Sequence, residues 1–168
     1  MLKKILNKYF NNKLFKNKLE KDIDTIKKLI GNLKIDQNKS KKTNDLNQFE
    51  FKVYSQFGED GIIQFIIDNI KIKNKVFVEF GVENYEEANT RFLLENNNWE
   101  GLIIDSSIEN IEYIKNKDYY WKNKIVAICD FIKLKNINEI IKKNNIQGQV
   151  GLLSIDIDGN DYWIWECI

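Results

Sequence analysis

The feature that most constrains this chain is a motif that recurs from residue 76 onward. Short apolar runs end on an acid or glycine, and each is followed by a helical pattern. Val76 to Phe80 is β-branched and aromatic and stops at Gly81. Leu102 to Ile104 stops at Asp105, Ile125 to Cys129 at Asp130, and Val150 to Ile157 at Asp158-Gly159. Between and around them Ile62 to Ile70, Glu87 to Asn96, Ile108 to Lys115 and Ile137 to Lys143 place apolar residues at helical spacing. Strands alternating with helices pair in parallel and bury both sheet faces, which is why the strands read as continuous apolar runs. The expectation is an α/β, Rossmann-like parallel sheet of about four strands.

The first fifty residues read differently. They hold 13 Lys against 6 Asp or Glu, a net of +7, whereas residues 51–168 carry a net of −6. Leu19, Ile23, Ile26, Ile30 and Leu33 fall at spacings of four and three, on one helical face. Two heptads are too few for a lasting coiled coil. The expectation is a basic helix that packs on the domain or a partner, followed by a polar linker from Gly31 to Asn47. Any membrane contact would come through this helix; no aromatic interleaving points to nucleic acid. The domain expectation is 1–50 for this segment and 51–168 for the sheet.

Composition removes several chemistries. There is no histidine, so no Ser-His-Asp triad and no Cys-His pair. A general base must be a carboxylate, lysine, tyrosine or cysteine. Cys129 and Cys167 have no zinc spacing and read as small buried apolar residues. No apolar run reaches the roughly 18 residues of a membrane span, and the first fifteen lack a signal core. The expected location is the cytoplasm.

The strand ends carry the chemistry. Ligands of open parallel sheets bind beyond the carboxyl ends of the strands. Glu79, Asp105, Asp130, Asp156 and Asp158 therefore gather on one edge, where they repel each other unless something positive or hydroxyl-rich lies between them. A nucleoside with a ribose diol and an amine meets that need, and so does a metal ion. Asp105 follows Gly81 by about twenty to twenty-five residues, the place of a ribose-binding acid, with both ribose hydroxyls within its reach. Gly81 has no Cβ to keep a ligand off the backbone. It is the only glycine of the loop running to Asn89, and a diphosphate would want more. That favours S-adenosylmethionine (SAM) over a dinucleotide. Asp105 also reads as a helix N-cap, and Gly81 as a plain turn. The lone arginine, Arg91, either pairs with the clustered acids or lies on the surface.

The strings Tyr54-Ser-Gln-Phe-Gly-Glu-Asp-Gly61, Phe77-Val-Glu-Phe-Gly-Val82, Asn89-Thr-Arg-Phe-Leu-Leu94, Trp99-Glu-Gly-Leu-Ile-Ile-Asp105 and Leu152-Leu-Ser-Ile-Asp-Ile-Asp-Gly-Asn-Asp-Tyr-Trp163 together resemble a bacterial group related to the FkbM-type methyltransferases. The resemblance runs from Phe51 to the end. It implies a class I methyltransferase fold that acts on sugars or surface-polysaccharide precursors. It also implies Glu79 and Gly81 near the methionine part of SAM, Asp105 on the ribose, and Asp130 with Phe131 beside the adenine. Asp156 then lies by the methyl donor. Asp156 or Asp158 is the expected catalytic base, or the pair is a holder of a divalent ion such as magnesium that orients the acceptor. Strand alternation would turn both toward one face. Tyr162, Trp163 and Trp165 are expected to line an acceptor pocket.

Two other readings of Asp156-Ile-Asp158-Gly159 fit poorly. A haloacid-dehalogenase phosphatase opens on such a motif, whereas here it comes late; an EF-hand loop needs a later glycine and a closing Glu. A class I methyltransferase has seven strands, and only four are legible. The remaining expectation is a C-terminally truncated domain: an inactive remnant or interaction subunit that at most binds SAM, or an oligomer or a split protein completed by a second chain.

Overall fold

The computed structural model describes residues 2–144, 146 and 148–168, with side chains from Leu14 on apart from Asn17. The chain divides into two compact units, residues 1–42 and 43–168. The first is a single helix, α1 (Leu2–Asn38). It runs straight through the start of the expected linker, because one glycine, Gly31, costs only about 1 kcal/mol and Leu33 and Ile35 follow it. Its stripe of Leu19, Ile23, Ile26, Ile30 and Leu33 is exposed along its length. No helix among the described residues is long and apolar enough to cross a membrane.

The second unit begins ahead of Phe51, with a 3₁₀ turn at Leu46–Phe49 capped by Asp45. Phe49 is fully buried and stacks on Phe65 with ring centroids 3.8 Å apart, which ties the turn to the next helix. In order come α2 (Glu59–Asn69), β1 (Val76–Phe80), α3 (Arg91–Asn97), β2 (Glu100–Asp105), α4 (Ile108–Lys115), α5 (Asp118–Lys122), β3 (Ile125–Cys129), α6 (Ile137–Lys143), β4 (Leu152–Ile155) and α7 (Asp161–Cys167). The expected helix from Glu87 starts only at Arg91. Asn89 and Thr90 give their backbone N–H groups to Glu79 instead of to a helical turn.

The sheet order is β3-β2-β1-β4, all parallel. Its two faces are covered separately. Phe77, Ile103 and Ala127 pack with Leu93, Ile111, Ile114 and Tyr119 from α3, α4 and α5. Val78, Phe80, Leu102 and Ile104 pack with Ile137, Ile140, Ile141 and Ile164 from α6 and α7. The chain moves one way from β1 to β2 and β3, then returns to β1's other side for β4. The order therefore reverses between β1 and β4, and an open α/β sheet presents a crevice beyond the strand ends at such a point. The fold is an α/β sandwich of Rossmann-like kind. Cys129 departs from expectation: it ends the edge strand β3 and is exposed, while Cys167 is half-buried.

Candidate functional site

A cleft of about 1330 Å³ opens at the carboxyl ends of the strands. Every acid expected there lines it: Glu79, Asp105, Asp130, Asp156 and Asp158, together with Gly81 and Phe131. They share the cleft but have different jobs.

Glu79 is buried and already fully used. Its Oε1 accepts the Asn89 N–H at 2.9 Å and the Ser154 hydroxyl at 3.2 Å. Its Oε2 accepts the Thr90 N–H at 3.1 Å and the Thr90 hydroxyl. Tyr85 in turn donates to Thr90 Oγ1 at 2.8 Å, and Asn89 Nδ2 donates to Ser154 Oγ at 3.2 Å. Burial pushes the Glu79 carboxyl above its ordinary pKa, and the donors around it pull the other way. The side chain anchors the loop between β1 and α3 and leaves no lone pair for a ligand amine.

That loop needs anchoring. Gly81, Glu83 and Tyr85 all have left-handed backbones, with φ of 72°, 47° and 62°. Such residues cost energy unless the surroundings hold them, and they cluster at ligand sites. Gly81 also meets a second constraint. A Cβ there would lie 1.7 Å from the backbone oxygen of Asp156. The space that a ligand was expected to use is filled by the chain itself.

Asp105 is buried at the end of β2. Its Oδ1 accepts the Ser107 N–H at 2.8 Å and Asn110 Nδ2 at 3.1 Å, and its Oδ2 accepts the Glu83 N–H at 2.8 Å. Ser107, not Asp105, caps α4. With about four acceptor positions on a carboxylate, one remains, on Oδ2. That suits one ribose hydroxyl, not the two expected.

Asp130 is half-buried past the end of β3, its N–H on the Asp105 carbonyl at 3.0 Å, and the Phe131 ring beside it is exposed. Asp156 and Asp158 lie beyond the end of β4, both exposed. The strand stops at Ile155 and Asp158 has φ of 55°, so strand alternation does not set their directions. Asp161 shapes this turn by accepting from the Ile157 and Gly159 N–H groups at 2.8 and 3.2 Å. Neither Asp156 nor Asp158 has a side-chain partner among the described residues. No group of three or more His, Cys, Asp or Glu among those residues is placed to hold a metal ion. The two carboxylates alone do not make the oxygen-rich shell that magnesium takes.

Helix α7 parts its aromatics. Trp163 lines the cleft, while Tyr162 and Trp165, three residues apart on one helical face, line a separate hollow with Leu153 and Ile155. Arg91 lies away from the strand-end acids. It is buried between the rings of Tyr54 and Tyr119, at 4.2 and 4.6 Å, and pairs with Glu86 at 3.0 Å and Glu95 at 2.9 Å. Residue patterns missed one wall of the cleft, formed by Gln56, Phe57 and Glu59.

Comparison with family models, with curated proteins and with solved structures finds no match.

Proposed function

We propose that the unit 43–168 binds SAM and supports methyl transfer to a hydroxyl of a sugar or surface-polysaccharide precursor. The observation that carries this reading is the cleft at the strand-order reversal, with Asp105 buried in its floor and one acceptor position left open on Oδ2. The residues fit the cofactor: the loop after β1 has the single glycine Gly81 and no phosphate cradle, and SAM has no phosphate. Asp130 and Phe131 border the end where the adenine would lie.

Bound SAM would supply an electrophilic methyl group. The chain's part is to hold the acceptor oxygen in line with it and to take its proton. Asp156 and Asp158, without side-chain partners among the described residues and lining the cleft, are available to take that proton. The test is calorimetry with SAM and with S-adenosylhomocysteine on the whole chain. The expected result is binding of both and none of NAD, with Asp105→Ala losing roughly tenfold or more in affinity. A folded sample that takes up neither compound would refute the reading.

One observation favours a second reading, a SAM-binding unit that works only with a completing chain or a second copy. Strand β4 is at the sheet edge, beside the apolar hollow of Leu153, Ile155, Tyr162 and Trp165. Light scattering decides it: a monomer that turns over sugar acceptors rules this reading out.

A further inference from the structure

The segment ahead of α2 is irregular yet pinned from three sides. The backbone N–H groups of Val53, Tyr54 and Ser55 all donate to Asp60 Oδ2, at 2.7, 2.7 and 2.9 Å, and the Asp60 N–H donates to Ser55 Oγ at 3.0 Å. Glu59 Oε2 accepts from the N–H groups of Phe57 and Gly58 at 2.9 and 2.8 Å. Lys52 Nζ bridges the Gln56 carbonyl and Glu87 at 2.8 and 2.9 Å, and the Ala88 N–H donates to the Tyr54 carbonyl at 3.1 Å. Gly61 lets the next turn of helix close in, since a Cβ there would lie 2.1 Å from the Phe49 carbonyl oxygen.

This pinned loop presents Phe57 at 78% exposure, more than any other large apolar side chain among the described residues, and Phe57 lines the cleft. A lone exposed aromatic on a convex surface is ordinary. An aromatic on a fixed loop in a concave site that also exposes Trp163 is a ready-made platform for a ring, because little order is lost on binding. The loop's contacts run to Glu87 and Ala88, and the neighbouring Asn89 reaches Ser154 of β4. Phe57 thus belongs to the β1–β4 side, away from the β3 side where Phe131 lies.

The charge of the cleft narrows the ring's identity. Eight carboxylate side chains and one lysine, Lys133, line it. Backbone N–H groups of a loop bind phosphate only when they are free. Here those of Val53, Tyr54, Ser55, Phe57 and Gly58 are all taken by Asp60 and Glu59.

We propose that Phe57 contacts the acceptor, that Asp60 is its positioning residue, and that the acceptor is an uncharged glycoside ring, not a phosphorylated or nucleotide-activated sugar. This rests on the SAM reading above. The test is saturation-transfer NMR on the whole chain, with and without S-adenosylhomocysteine. The probes are methyl glycosides of glucose, galactose, mannose and N-acetylglucosamine, each beside its 1-phosphate. At least one methyl glycoside binds, and its 1-phosphate binds roughly tenfold or more weakly, as expected for an anion among carboxylates. Phe57→Ala weakens the glycoside roughly fivefold, the size of one lost ring contact, and leaves S-adenosylhomocysteine affinity and thermal midpoint unchanged. Asp60→Ala weakens the glycoside as Phe57→Ala does, and Asp60→Asn, which keeps an accepting oxygen, restores it. Equal binding by Phe57→Ala, equal binding of the phosphates, or no glycoside binding at all overturns the proposal. Calorimetry reads S-adenosylhomocysteine separately, so a failure there strikes the SAM reading, while the glycoside comparison without it still decides the part of Phe57.

Discussion

Replacing Glu79 by glutamine tests whether that buried carboxylate is charged. Each of its oxygens accepts one backbone N–H and one hydroxyl. Whichever way a glutamine amide is turned, its NH₂ faces a backbone N–H, of Asn89 or of Thr90. The hydroxyls of Thr90 and Ser154 can rotate and accept, but the backbone group cannot. One buried N–H is left without a partner, which costs about 2 kcal/mol. For a unit of this size that lowers the thermal midpoint by roughly 5–10 °C. Glu79→Ala orphans both N–H groups and leaves a void, for about 4 kcal/mol. Equilibrium urea unfolding of the three proteins, followed by circular dichroism, measures these differences. Burial raises the Glu79 pKa in spite of its four donors. Were it raised far enough to keep the side chain protonated, glutamine would replace neutral by neutral. A Glu79→Gln protein within about 0.5 kcal/mol of the parent would refute the charged, four-donor account.

Three further outcomes are expected. Gly81→Ala puts a side chain at φ of 72° and 1.7 Å from the Asp156 oxygen, so it costs about 1–2 kcal/mol for the backbone and more for parting β1 from β4; urea unfolding and SAM affinity both register it. Arg91→Ala takes the guanidinium away from Glu95 and from between the two rings and costs about 3–5 kcal/mol, while Arg91→Lys loses the flat stacking between Tyr54 and Tyr119 and costs less, as thermal unfolding will rank. Glu86 is pushed up by burial, but Lys117, Tyr113 and Arg91 outweigh this and hold its pKa at about 2 against an ordinary 4.5. A lowered pKa means its contribution is full above pH 4.5 and lost as pH falls toward 2. After discount for an exposed side chain this is about 1 kcal/mol, so an acid titration of stability will be flatter in Glu86→Gln over that window.

The central strands β1 and β2 were legible because both sheet faces are buried there, so they appear in the sequence as short apolar runs, Val76 to Phe80 and Leu102 to Ile104. Helices α4 and α6 showed by their spacing. The loop between β1 and α3 was misread as helix from Glu87, since Ala88, Phe92 and Leu93 mimic a helical face. What delays the helix to Arg91 is the Glu79 carboxylate, which holds the backbone of Asn89 and Thr90, ten and eleven residues on, and which no local pattern reveals. Helix α5 is five residues long and carries no period to find. The strand-end acids were found by topology alone, and all of them line the cleft. Their separate jobs were hidden, because a sequence shows a carboxylate but not how many N–H groups have already claimed it. Phe57 was in view within Tyr54–Gly61, where the signal was an aromatic beside Gly-Glu-Asp-Gly. That run reads as a helix start, and the loop it staples is visible only in three dimensions.

The contact between Gly81 and the Asp156 carbonyl has a wider bearing. It locks the turn after β1 to the turn after β4 as one piece, like two boards joined by a tenon. Variation among chains built this way would be confined to what is not jointed: the ring on the 53–58 loop and the indole of Trp163. On the reading proposed above, selection for a new ring could exchange those two side chains freely, while the joint beneath them stays glycine.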